Sequence, residues 1–386
     1  MTLQHEALGH SFDGCALARF TLTNARGSSA QVITLGATLT ALRVPDRDGR
    51  LDDVVLGFDE PDAYARDHPF FGSTVGRYAN RIAAGRFTLE GERYQLARND
   101  PPNHLHGGPN GLHHQVWCAA ARATTEGPSV TLTLQSPDGA EGYPGALAVA
   151  VTYTLTDSDV LRLDDEATTT RATVVNLTHH SYFNLAGGGD VLDHTLELCA
   201  SRFLPIDAQG IPLEGPREVV GTPMDFTHPR AVGERLGDDD AQLRAGRGYD
   251  HCWALDLLTG ALRRAARLAD PASGRVMALF TTEPGVQFYA GNRLDGALVG
   301  KGGRRYPRHG GLCLEAQRFP DSPNRPDFPS AVLRPGERYR QTTEHRFGAG
   351  PRAHPAHHAA PATAGPDTHA GPLTRSGGLR PREETP

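Results

Sequence analysis

Apolar and polar residues alternate with a period of two along most of this chain, the repeat of a half-buried strand. Leu147, Val149, Val151, Tyr153 and Leu155 alternate with smaller or more polar residues, and Asp157-Ser158-Asp159 then turns the chain into a new run from Val160. Val130, Leu132 and Leu134 repeat the pattern ahead of Pro137-Asp138-Gly139. Phe87 and Leu89 lead into Glu90-Gly91, after which Tyr94 and Leu96 resume the alternation, a hairpin signature. Helical spacing is confined to short pieces, the best around Gly260–Leu268, where the arginines also fit a loop flanking a strand. No internal repeat and no Pro/Ser-rich linker divides the body. The pattern predicts one large, all-β antiparallel sandwich over residues 1–349, with both sheets sharing a core.

Composition changes this picture at the C-terminal end. Residues 350–386 contain no aromatic, and Leu373 and Leu379 are their only large aliphatics. Such a segment cannot bury enough apolar surface to offset the entropy of ordering, so a disordered tail is expected there, with His354, His357, His358 and His369 incidental to it. The 44 Gly and 29 Pro suit strands and turns rather than helices. A net charge of −6 argues against a nucleic-acid surface. Of the 39 basic residues only Lys301 is a lysine, a skew read as genomic bias. No run approaches the ~18 apolar residues of a membrane span, and the first residues lack the pattern of a signal peptide. Cys15, Cys118, Cys199, Cys252 and Cys313 are odd in number, scattered and never spaced C-x-x-C, which predicts buried, reduced thiols in a cytoplasmic protein.

Three clusters carry groups capable of acid–base work. In Asn103-His104-Leu105-His106-Gly107-Gly108, downstream of Gly76-Arg77-Tyr78-Ala79-Asn80-Arg81, the two histidines would share one face of a strand; such a pair also opens several metal sites, or forms a hydrogen-bonded loop. In Asn176-Leu177-Thr178-His179-His180-Ser181-Tyr182, a strand sends Thr178, His180 and Tyr182 one way and His179 the other. At most one of those histidines then faces a pocket, and periodicity does not say which. In Gly311-Leu312-Cys313-Leu314-Glu315-Ala316-Gln317 the apolar face leaves Cys313, Glu315 and Gln317 opposite. A carboxylate in so apolar a strand is costly unless it sits in a polar pocket or on an exposed sheet face. Asp250-His251 and Gln287 are weaker candidates of the same kind. There is no G-x-G-x-x-G, no G-x-S-x-G and no H-E-x-x-H, and GALVGKG lacks the spacing of a phosphate loop.

Taken in order, GRYANRIAAGRFTLEGERYQL, NHLHGG, NLTHHSYFNLAG, YDH, PGVQFYAGN and LCLEAQRFPDSPNRPDFPS resemble the aldose 1-epimerase (galactose mutarotase) family. The resemblance runs from about Phe12 to Phe347. It implies a β-supersandwich with a hexose cleft and interconversion of α and β anomers of free aldoses, glucose or galactose among them, without metal or other cofactor, by a monomer or homodimer. It also implies His180 as general acid and Glu315 as general base, with Asn80, Arg81, His106, Tyr182, Asp250 and Gln287 holding the sugar. Phe288 or Trp253 would stack on a sugar face. Cys252-Trp253 after the Asp-His pair and His113-His114 depart from the usual family pattern. Three other readings are weighed on the residues alone: a cupin-like metalloenzyme using His104 and His106, which lacks a Glu at the short spacing such a site needs, a glycoside hydrolase pairing Asp250 with Glu315, and a sugar-binding module without catalysis.

Overall fold

The computed structural model describes residues 1–12, 15–256 and 260–350. The expected tail therefore lies, beyond Gly350, outside the described residues. The runs read from the alternation are strands: Arg86–Leu89 with Glu92–Gln95, Pro128–Ser136, Leu147–Leu155 and Val160–Thr169. Their pairings are antiparallel, and Val149, Val151, Tyr153 and Leu155 are buried.

Three larger sheets organise the body. A nine-stranded sheet runs from Cys118–Ala123 at one edge through Leu147–Leu155, Tyr339–Ala349 and Arg275–Thr281 to Arg230–Ala231. A six-stranded sheet places Leu312–Gln317 between Tyr182–Phe183 and Gly285–Tyr289, with Asp250–Ala254 next. A five-stranded sheet holds the first strands, Thr2–Phe12 to Leu51–Asp53. One core joins all three, with Val151, Leu163 and Leu279 from the first, Trp253, Phe288, Leu312 and Leu314 from the second, and Leu22, Val32 and Leu42 from the third. The two faces of the six-stranded sheet therefore differ in kind. Period-2 geometry turns Val286, Phe288, Leu312 and Leu314 into the core and leaves Gln287, Tyr289, Cys313 and Glu315 on the other side.

Two expectations are corrected. The segment with helical spacing is strand Arg263–Ala269, hydrogen-bonded to a neighbour on each side; two-sided pairing overrides a weak local pattern. The only α-helix among the described residues is Ala241–Gly246, whose first turn is capped by the Asp240 carboxylate accepting from the amides of Gln242 and Leu243. The cysteines are not all reduced and buried. Cys15 and Cys118 form a disulfide, Cys199 is half-buried, and only Cys252 and Cys313 are buried thiols. Scattered spacing conceals that pair because the fold brings together residues 103 apart in sequence. Among the described residues, no helix is long and apolar enough to cross a membrane.

Candidate active site

The outer face of the six-stranded sheet floors a cavity of about 200 Å³, lined by Asn80, Arg81, His106, His180, Tyr182, Asp250, Gln287 and Glu315. Two larger cavities among the described residues, of about 420 and 940 Å³, do not gather these groups. Backbone register sets the floor. Gln287 lies opposite Glu315, Tyr289 opposite both Asp250 and Cys313, and Tyr182 opposite Cys313 on its other side. The Gln287 amide donates to an Asp250 carboxylate oxygen at 2.8 Å. Glu315 is 2% exposed, so the alternative of a solvent-facing strand is overturned. Its Oε2, like the Gln287 Oε1, is buried without a hydrogen-bond partner. Buried acceptors left unpaired are costly unless a ligand or water answers them.

His180 follows the two-residue strand Thr178–His179, its amide donating to the Ser73 carbonyl and its own carbonyl accepting from the Gly72 amide. Its Nε2 stands 3.7 Å from Glu315 Oε1. His179 turns away from the cavity and meets the buried Asp165 carboxylate at 3.0 Å, which settles what periodicity left undecided. The first pair of histidines also divides. His104 is enclosed between the Tyr143 hydroxyl and the Ala97 carbonyl, each at 2.7 Å, while His106 enters the cavity. The one-face expectation fails because His106 lies outside the strand His104–Leu105, in the left-handed region with φ 52°. Its loop closes tightly at Gly107, φ +82°, where a Cβ would sit 1.9 Å from the Gly76 carbonyl oxygen.

Asn80 locks this corner. Its amide donates to His106 Nδ1 at 3.2 Å, and its side-chain oxygen accepts from the Arg81 amide at 2.9 Å. A neutral imidazole whose Nδ1 accepts carries its proton on Nε2, so His106 presents a donor to the cavity. Arg81 is held by Asp100 at 2.8 Å. His106, His180 and Glu315 also offer ligand atoms within 4.8 Å of one another. They could surround one ion only by breaking the Asn80–His106 hydrogen bond, because Nε2 can ligate only when the ring hydrogen sits on Nδ1, which already accepts from the Asn80 amide.

Burial governs the protonation of these groups. It pushes the His180 imidazole down to about 4, against a hydrogen bond to its own main chain that works the other way. It drives the Glu315 carboxyl well above the ordinary carboxylate range, helped by the Asp250 charge and opposed by Arg81. His106 is lowered strongly, by burial first and by His180 next.

Pro69, Phe70, Leu105, Tyr289 and Arg293 also line the cavity and carried no sequence signal. Phe70 is the most telling. Its ring packs 4.7 Å from His106, 4.8 Å from His113 and 5.6 Å from His180, and its backbone is left-handed at φ 59°. The expected stacking residues are not at the site, since Phe288 and Trp253 are fully buried in the core. Of the positions departing from the family pattern, Cys252 packs beside Phe319, and His113 reaches the cavity only through Phe70.

With this geometry in hand, comparison with known proteins is decisive. A family model described as aldose 1-epimerase matches residues 18–346. The chain belongs to the aldose 1-epimerase family. It is 47% identical to a galactose mutarotase from Mus musculus over 321 residues, 83% of this chain and 91% of that one. It is 38% identical to an aldose 1-epimerase from Escherichia coli over 339 residues, 87% of this chain and 96% of the other. A solved galactose 1-epimerase from Lactobacillus acidophilus superposes with a TM-score of 0.80 at 31% identity, covering 90% of this chain and 99% of its own. An aldose epimerase homologue from C. elegans gives 0.78 at 33% identity, covering 85% and 98%. The protein is an isomerase of the epimerase type, interconverting aldose anomers, and the sandwich is the family's fold.

Proposed function

We propose that Glu315 and His180 are the base and acid of this epimerase and that its substrates are free hexoses of the glucose and galactose type. Opening a hemiacetal removes the proton from the C1 hydroxyl while another reaches the ring oxygen. The C1–O5 bond breaks, C1 becomes an aldehyde, rotates, and is attacked from its other face. The two oxygens share one carbon, so two facing groups suffice. Glu315 takes the O1 proton as His180 gives its Nε2 proton to O5. Closure reverses both transfers.

The single observation that carries this reading is the His180–Glu315 approach at 3.7 Å on a cavity floor otherwise lined by hydroxyl-binding groups. Between them the pair needs one proton. With the ring closed it is an ion pair; with the ring open it is an uncharged imidazole and carboxylic acid. Burial lowers His180 and raises Glu315, which favours the uncharged state in the empty cavity, so the bound sugar must draw that one proton from Glu315 to His180 before the ring opens. Each group contributes about 10²–10⁴ in rate. His106 Nε2–H and Arg81 are donors for the sugar oxygens, and Asp250 and Gln287 accept from its hydroxyls. Phe70 and Tyr182 bound the apolar side.

Freshly dissolved α-D-glucose and α-D-galactose, followed by polarimetry, test the substrate assignment. Saturable acceleration of both is expected, with no sugar released from aryl glycosides; no acceleration of either would overturn it. Residues 350–386 take no part in this reading, and a chain ending at Ala349 is expected to keep the rate. A cytoplasmic site of action is tested by the redox state of Cys15 and Cys118 in cells, because a reducing cytosol leaves such pairs as thiols.

A further inference from the structure

The acid–base pair has a third neighbour. Cys313 and Glu315 leave the same face of strand Leu312–Gln317 two residues apart, and both meet the His180 ring. Glu315 Oε1 lies 3.7 Å from Nε2, and Cys313 Sγ lies 3.6 Å from Nδ1. The strand thus addresses both nitrogens of one imidazole at once. Phe70, His106 and Tyr182 pack around the ring at 4.7–5.6 Å from one another's or its own centre, so it has little freedom to turn.

We infer that Cys313 is a positioning residue whose sulfur accepts the Nδ1–H of His180 and so keeps the exchanging proton on Nε2. The inference rests on His180 acting as the acid. An imidazolium carries hydrogen on both nitrogens, so Nδ1 can only donate and the sulfur can only accept. Once Nε2 has delivered its proton to the sugar, the neutral ring must remain the Nδ1–H tautomer. The opposite tautomer leaves a hydrogen on Nε2, and that nitrogen cannot then take the O5 proton back during closure. The ring's own main-chain carbonyl only accepts and so favours Nδ1–H, and the sulfur holds that form as an acceptor when the thiol hydrogen points away from Nδ1. Burial keeps the thiol protonated, so it places no charge beside the ring. The groups facing His180 are Glu315 and Cys313 from one strand, Tyr182 from its neighbour, and His106 from the loop beyond the strand His104–Leu105; His68 acts on it from farther away.

The tautomer is read from long-range ¹H–¹⁵N correlations of the His180 ring in the full chain, assigned with His180→Asn. The wild-type neutral ring is expected as Nδ1–H. Cys313→Ala should admit the Nε2–H form and lower kcat about three- to ten-fold, the worth of one ordinary hydrogen bond, with KM unchanged. Cys313→Ser, which restores an acceptor, should recover both tautomer and kcat. A wild-type ring found as Nε2–H, or a Cys313→Ala enzyme with undiminished kcat, would overturn the inference. Full activity in His180→Asn would instead overturn the acid assignment beneath it, so the two failures are distinguishable.

Discussion

Phe70 shows how far a single residue departs from what local preference allows. A bulky side chain at φ 59° is strained, and strain of this kind persists where the surroundings over-determine it. Here the surroundings are three histidine rings, two of which, His106 and His180, line the cavity. Phe70→Gly removes the steric cost of that backbone while Phe70→Ala keeps it. The glycine variant is expected to be more stable than the alanine variant by about 1 kcal/mol in chemical denaturation, and both should raise KM for the sugar. Equal stabilities would mean the backbone relaxes. The contrast with Glu315 is instructive. Glu315 was conspicuous in the sequence because a carboxylate interrupts an apolar alternation. Phe70 was invisible, because an aromatic in a loop breaks no pattern and its role follows from a backbone angle. His104 and His106 were equally conspicuous, and only tertiary placement separates the enclosed ring from the one in the cavity.

At the level of elements, strands long enough to show four or five alternations were legible, together with their turns. Those whose pairing is decided at a distance were not. Arg263–Ala269 reads weakly because it draws its stability from two neighbours rather than from its own pattern. The site strands are legible for another reason: one face must enter the core with Phe288 and Leu314, so polar residues on the other face stand out. The disulfide between Cys15 and Cys118 ties the N-terminal sheet to the edge of the nine-stranded one, closing a sequence separation of 103 residues. Cys118→Ser is expected to cost about 2–4 kcal/mol of stability under oxidising conditions, with anomerase activity unchanged because neither cysteine lines the sugar cavity. Equal denaturation midpoints for the variant and the oxidised wild type would show that the bond does not restrict the unfolded chain.

On the scale of the molecule, the three larger sheets share one core. The fold buries several histidines away from the chemistry. Burial lowers His104 to about 4 and His113, His251 and His345 to about 3, so the native state holds them neutral where the unfolded chain binds protons near 6.5. The unfolded state then carries more protons, and stability falls as pH drops below about 6.5 toward 4. Glu283, raised to about 7, and Glu315, also raised, act oppositely: they stabilise at low pH and lose that contribution as pH rises. His68, His106 and His180 are lowered as well, so the lowered histidines outnumber the raised carboxylates and acid has the larger effect. Urea midpoints measured from pH 7 to pH 4.5 should decline steadily, and a flat or rising series would contradict this balance.

The central claim is that one carboxylate and one imidazole on the floor of this cavity move the protons of ring opening. Its most direct test is the relaxation of α-D-galactose by Glu315→Gln, with sugar binding measured on the same preparation. Glutamine keeps the size of the side chain and loses the base. The account predicts retained binding and a rate lowered by about 10²–10⁴. A Glu315→Gln enzyme that binds the sugar and relaxes it at the wild-type rate would contradict it.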